Sequence, residues 1–173
     1  MKTNDADSTS YPWLRNYPPF AGWSMELPQK PVFELLREAV DKYPGNTCME
    51  FLGKRWTYRE TGELAARVAK GFQDLGVEKG ARVGLLLPNT PYYVAAFFGA
   101  QLAGATIVNM NPLYAERELE QMVADAGIDV LVTMDLTAMY PKAEALLGKT
   151  SIRKLIVCSM SEALPLGTSI LFN

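Results

Sequence analysis

The chain of 173 residues contains no histidine. That absence removes the commonest general base near neutral pH, the commonest zinc ligand, and every Ser-His or Cys-His nucleophile pair. Cysteine is nearly as scarce. Cys48 and Cys158 have no Cys-x-x-Cys spacing, and both fall in apolar, strand-like runs. Cysteines so placed behave as small hydrophobes, and the pattern suits a reducing compartment rather than a disulfide scaffold. An excess of one charge is also lacking. With 17 Lys and Arg against 19 Asp and Glu, the net charge of −2 favours neither nucleic acid nor an anionic membrane by bulk electrostatics. The longest apolar run, 92–105, is interrupted by Gln101 and two glycines; it falls short of the roughly 20 residues a spanning helix needs. No GxGxxG, and no GxxxxGK followed by Ser or Thr, occurs anywhere, so the chain carries no recognisable phosphate cradle.

What is present is an ordinary globular composition, 49% apolar and 21% charged, in a length that fits one domain with a real core. Residues 1–10 are polar, with Asp5 and Asp7; they read as a disordered tail and not as a signal peptide. Residues 11–31 are rich in proline and aromatics (Trp13, Tyr17, Phe20, Trp23) and predict an extended arm over the domain surface. From 32 onward the pattern is regular. A helix over 32–43 carries the stripe Leu35, Leu36, Ala39, Val40 and Tyr43. Gly53 between 47–52 and 54–57 predicts a short hairpin. Thr57 and Glu60 form a capping-box pattern that opens a helix to about Leu75. Strands at 82–87, 106–109, 129–133 and 154–158 then alternate with helices at 91–103, 115–126 and 136–147. Continuous apolar strands alternating with helices predict βαβ units: an α/β fold with a largely parallel sheet flanked by helices. Residues 160–173 read as the start of a further element.

In such sheets ligands sit beyond the carboxyl ends of the strands. The residues there are Pro88, Asn89 and Thr90 after one strand and Asn109, Asn111 and Tyr114 after the next. Asn side chains can orient a ligand, but they also build turns, and turn or cap duty is the favoured reading for Asn89, Asn109 and Asn111. Tyr114 either covers a ligand or packs. Lys54 and Arg55 read as a solvated pair. Glu116, Glu118 and Glu120 fall in the first turns of a helix, where negative charge complements the macrodipole. No residue is assigned a catalytic, cofactor-binding or metal-binding role. The helix at 91–103 is apolar nearly all round. It must be covered on every side, either by its own domain or by a partner; an uncovered face would drive self-association.

Several stretches together carry a family resemblance. The Trp-Leu-Arg-Asn-Tyr-Pro run at 13–18, Trp-Thr-Tyr-Arg-Glu at 56–60, Gly-Ala-Arg-Val-Gly-Leu-Leu-Leu-Pro-Asn at 80–89 and, most specifically, the block 102–120 with Asn-Pro-Leu-Tyr at 111–114 resemble the N-terminal portion of AMP-forming long-chain fatty acid–CoA ligases. The resemblance runs over residues 11–173, places 32–173 as the N-terminal α/β subdomain of the AMP-binding domain, cut short at 173, and implies an adenylate-forming ligase. A fatty acid and ATP would give an acyl-adenylate and pyrophosphate, and CoA would then displace AMP. ATP, Mg²⁺ and CoA are the cofactors implied for the full-length enzyme; the family's phosphate loop, hinge and mobile lysine lie further on, so the chain alone is expected to be inactive. The resemblance also implies the rest of a ligase chain as partner, no nucleic acid, and a cytoplasmic protein open to peripheral association with the inner membrane face. Three residues depart from the pattern: Ala81 where Asp is usual, Thr61 where Leu is usual, and Ala115 where Thr usually caps a helix. Two other readings stand beside this one: a truncated, non-catalytic paralogue acting as an interaction protein, and an unrelated doubly wound ligand-binding domain.

Overall fold

A hairpin and a four-stranded parallel sheet organise the chain in the computed structural model, which describes residues 11–18, 20 and 28–165. The tail 1–10, most of the segment 19–27 and the residues after 165 fall outside the described set. The chain divides into two units, Met1–Pro31 and Val32–Asn173. In the first, Pro12–Asn16 forms a short 3-10 helix where extended backbone was expected. Pro12 explains the difference, because a proline at the first helical position fixes φ and lacks only an N–H that would go unpaired there. The rings of Tyr11 and Trp13 lie 5.3 Å apart.

The second unit runs α1 (Phe33–Lys42), β1 (Thr47–Phe51), β2 (Lys54–Thr57), α2 (Tyr58–Asp74), β3 (Arg82–Leu85), α3 (Pro91–Leu102), β4 (Thr106–Asn109), α4 (Glu116–Ala126), β5 (Val130–Met134), α5 (Tyr140–Lys149), β6 (Lys154–Cys158) and α6 (Met160–Ala163). β1 and β2 pair antiparallel as the expected hairpin. The remaining strands form one sheet in the order β4-β3-β5-β6, every pair parallel. From β3 the chain steps one way to β4, then crosses back over β3 to β5 and on to β6. With right-handed crossovers, that reversal puts α3 on one face and α4 and α5 on the other.

The side chains follow the pleat. Val83, Leu85 and Leu87 join Val130, Val132 and Met134 under Phe72 of α2 and Ala96 and Ala100 of α3. Leu86 and Leu131 point to the opposite core, against Leu119 and Val123 of α4 and Ala143 and Leu146 of α5. β5 is buried at every position, which is why its sequence is apolar at every position but Thr133 and does not alternate. Each such fully buried aliphatic side chain contributes about 1.5–3 kcal/mol.

Two local expectations are corrected. In α1 only Leu36 is buried, while Leu35 is 57% and Tyr43 44% exposed. Successive helical residues point about 100° apart, and α1 buries only a narrow stripe, so Leu36 takes the inward position and Leu35 is left outside. Helix α5 begins at Tyr140, not at 136. Pro141 accounts for this: a helix running through it would lose a hydrogen bond and clash with the carbonyl one turn back. Residues 136–139 instead close a turn, with the Met139 amide bonding the Leu136 carbonyl at 2.8 Å.

The capping box is present in full on α2. Thr57 Oγ1 accepts from the Glu60 amide at 3.2 Å, and Glu60 Oε2 accepts from the Thr57 amide at 2.7 Å. Thr61, the unusual residue of that block, is fully buried, and its hydroxyl donates to the Thr57 carbonyl at 2.8 Å. A threonine therefore replaces apolar contact with a bond into the cap. α4 ends on Gly127, whose φ of +63° is the left-handed conformation that glycine adopts without strain. Between α2 and α3, Gly99 permits the closest approach in the first core: a Cβ there would lie 2.7 Å from Val68 Cγ1 and 3.1 Å from the Ala65 carbonyl.

Candidate functional site

The chain reverses direction between β3 and β5, and the carboxyl ends of these strands and of β4 carry the loops 86–90, 110–115 and 135–139. This is the topological switch point, where an open α/β sheet leaves a crevice.

After β3, Asn89 is exposed and Thr90 is 6% exposed. Thr90 holds the N-cap position of α3, yet neither side chain caps the helix. The Thr90 hydroxyl turns back to the Pro88 carbonyl at 3.3 Å and lies 3.9 Å from Met134 Sδ. The turn duty expected here is met by Thr90, and the cap duty is absent. Pro91 at the start of α3 removes one amide that would otherwise need a partner.

After β4, Asn109 Oδ1 accepts from the Tyr93 hydroxyl at 3.0 Å, tying the strand to the first turn of α3. Asn111 Oδ1 accepts from the Leu113 amide at 3.0 Å, a side-chain turn of the kind that asparagine builds. The Tyr114 amide bonds the Asn111 carbonyl at 3.1 Å. Tyr114 is 40% and Leu113 88% exposed. Glu118 Oε2 accepts from the Ala115 amide at 2.8 Å. Ala115 offers no side-chain acceptor in return, so α4 has half a capping box. Glu116 and Glu120 turn away from this edge and pair with Lys149 at 2.5 and 3.4 Å. That ion pair raises the Lys149 pKa, chiefly through the hydrogen bond to Glu116.

The sequence reading missed three residues here. Tyr92 donates to the Ser159 carbonyl at 3.0 Å, and burial, with the nearby Glu162 carboxylate, pushes its phenol up to about 12. Asp135, directly after β5, accepts from the Met160 amide at 2.7 Å. Lys142 reaches across from α5 to the 110–115 loop. The adjacent tyrosines opening an otherwise apolar helix were the available signal for Tyr92 and Tyr93. For Lys142 no local signal exists, because its partners lie 30 and 28 residues away.

Between this edge and the hairpin lies a groove of about 310 Å³, lined by Asn89, Thr90 and Tyr93 on one side and Met49, Glu50 and Phe51 on the other. Among the described residues its lining holds no lysine or arginine, and it includes Glu50, which pairs with Arg55 at 2.6 Å. The ammonium of Lys142 is engaged by two backbone carbonyls. Among the described residues no group of three His, Cys, Asp or Glu side chains converges. These residues do not fit a triphosphate, a CoA diphosphate or Mg²⁺. They make a scaffold edge in which most polar groups bond to backbone. A second, mostly apolar cavity of about 430 Å³ opens between α2, α3 and β6, with Val68, Leu75, Ile156 and Val157 in its wall. No described helix is long and apolar enough to cross a membrane.

Residues 36–169 match the family of AMP-binding enzymes. The long-chain-fatty-acid–CoA ligase of Bacillus subtilis is 34% identical over 161 residues, which are 93% of this chain and 28% of that protein. Among solved structures, a long-chain-fatty-acid-CoA ligase (FadD1) from Archaeoglobus fulgidus superimposes with a TM-score of 0.70 at 27% identity, over 81% of this chain and 30% of that one. The N-terminal domain of FACL13 from Mycobacterium tuberculosis superimposes with a TM-score of 0.67 at 26% identity, over 75% of this chain and 34% of that one. The chain thus spans about 28% of the length of the Bacillus relative.

Proposed function

Since the chain belongs to the family of AMP-binding enzymes, we propose that it is the N-terminal portion of a long-chain fatty acid–CoA ligase. The observation that carries this reading is a 34% identity sustained over 93% of the chain against a ligase of that name. In the proposed reaction a fatty acid carboxylate attacks the α-phosphorus of ATP and pyrophosphate leaves. The thiol of CoA then attacks the acyl carbonyl, and AMP leaves. The overall change is fatty acid, ATP and CoA to acyl-CoA, AMP and pyrophosphate.

These residues supply scaffold to that reaction. The parallel sheet fixes the carboxyl edge, and the loops 86–90 and 110–115 form part of its rim. ATP, Mg²⁺ and CoA are taken by other parts of the ligase; in support, the described residues give the groove at this edge no cationic lining and no carboxylate cluster. The partner is accordingly the rest of a ligase chain, which covers the apolar cavity beside β6. Without it the exposed faces promote self-association. Nucleic acid is no partner, and the setting is the cytoplasm, open to peripheral association with the inner membrane face.

Two measurements test this. The 173 residues alone should release no pyrophosphate from ATP and oleate above the buffer blank. Exchanged for the matching segment of the Bacillus ligase, they should support oleoyl-CoA formation within about tenfold of the parent, since the fold is retained and the remote residues still supply the transition-state contacts. A folded but inactive chimera would overturn the ligase reading in favour of a non-catalytic paralogue.

A further inference from the structure

Lys142 stands in the first turn of α5, which has no acidic residue there. A cation at that end of a helix opposes the macrodipole, so the position breaks a local rule of charge placement. The ammonium is not left to solvent. It donates to the Pro112 carbonyl at 3.1 Å and to the Tyr114 carbonyl at 2.9 Å. These two carbonyls flank Leu113, whose own amide is held by Asn111 Oδ1. The next amides, of Tyr114 and Ala115, bond the Asn111 carbonyl and Glu118 Oε2. The loop 111–115 therefore has the amides of Leu113, Tyr114 and Ala115 tied locally and two of its carbonyls, those of Pro112 and Tyr114, gathered around one charge that arrives from another element. Departures from local consistency of this kind concentrate where a structure holds a particular shape for use.

From this geometry we propose that Lys142 is a positioning residue: its charge fixes the 111–115 loop in one conformation and so sets the shape in which Leu113 and Tyr114 are presented at the carboxyl edge. The clamp is cationic and not merely steric. The Lys142 side chain is half-buried, and its stem can be replaced by methionine with little change in volume. Loss of the charge would leave the Pro112 and Tyr114 carbonyls to water, and the loop would then sample other conformations while the sheet beneath stayed intact. In the reading given above, this loop is one rim of the ligase site, so the clamp would preorganise that rim. The clamp itself is a property of the 173 residues and can be tested apart from any activity.

The test is amide hydrogen exchange on the full 173-residue chain, comparing the parent with Lys142→Met and Lys142→Arg. In Lys142→Met the amides of Leu113, Tyr114 and Ala115 should exchange about tenfold faster, while those of β5 and of α5 beyond its first turn keep their parent rates. Lys142→Arg, which keeps the charge and reaches the same carbonyls, should restore loop protection to within about threefold of the parent. Unchanged loop exchange in Lys142→Met would overturn the proposal. So would acceleration spread evenly over α5 and β5, which marks a structural role only. Should Lys142→Met fail to fold, Lys142→Gln gives the same comparison with a neutral polar side chain, and failure of both to fold also counts against a local clamp. Failure of the ligase reading would appear separately, as an inactive chimera.

Discussion

Ala115→Thr should stabilise the protein, and the structure says by how much. α2 serves as the internal reference. Its N-cap Thr57 has φ −74° and ψ 165°, and Ala115 at the start of α4 has φ −69° and ψ 155°. The two caps are superimposable in backbone, so a threonine at 115 needs no rearrangement. The reciprocal half of the box already exists, with Glu118 Oε2 on the Ala115 amide at 2.8 Å, as Glu60 Oε2 is on the Thr57 amide at 2.7 Å. What is missing is an acceptor for the Glu118 amide beyond the Ala115 carbonyl, which it meets at 3.0 Å. A full N-cap hydroxyl contributes about 0.5–2 kcal/mol relative to alanine. Because the Glu118 amide is already partly satisfied, the gain should lie in the lower half, about 0.5–1 kcal/mol. With a urea m-value of about 1–3 kcal/mol/M, the midpoint should rise by roughly 0.2–1 M at unchanged m. The matched control, Thr57→Ala, should lose about 1 kcal/mol. A midpoint unmoved or lowered in Ala115→Thr, with Thr57→Ala behaving as expected, would refute the claim that α4 is half capped.

Three further outcomes follow from the packing and the titrating groups. Gly99→Ala should lower stability by about 1–3 kcal/mol in the same urea assay, because its Cβ meets Val68 and the Ala65 carbonyl; overpacking there outweighs the gain in helix propensity of about 1 kcal/mol. The Glu60 pKa is lowered, mainly by its hydrogen bond from the Thr57 amide and then by that from the Thr57 hydroxyl. A depressed carboxylate stabilises the fold above its unfolded value and loses that contribution as pH falls through its folded value. Stability should therefore decline below the ordinary glutamate value of 4.5, and the decline should be shallower in Glu60→Gln; identical acid profiles would contradict the capping role. Burial, aided by the Asp135 and Glu162 carboxylates, pushes the Cys158 thiol up to about 11. Iodoacetamide at pH 8 should leave it unmodified in the native state and alkylate it in urea, as peptide mass spectrometry would report.

The amino-acid sequence by itself determined the kind and order of the elements. Thr57 and Glu60 announce a helix start because cap chemistry is local, and the run of β5, apolar at every position but Thr133, announces a strand buried on both faces because no charge or alternation of polar residues marks a solvent side. The hairpin around Gly53 and the turn function of Asn111 are local for the same reason. Helix ends were less legible where one residue outweighed the pattern, as Pro141 did in α5, and faces were less legible where neighbouring leucines compete, as Leu35 and Leu36 do in α1. Strand order was decided only in three dimensions. The same string of strands and helices could step across a sheet in several orders, and the reversal at β3 is fixed by which faces α3, α4 and α5 can bury. The rim of the candidate site belongs to that second kind. Asn109 meets Tyr93, and Lys142 meets the carbonyls of Pro112 and Tyr114, only because crossovers of 16 to 30 residues return them to one edge. Hydrogen bonds of that span leave no period in a sequence; they exist once the sheet has brought the loops together.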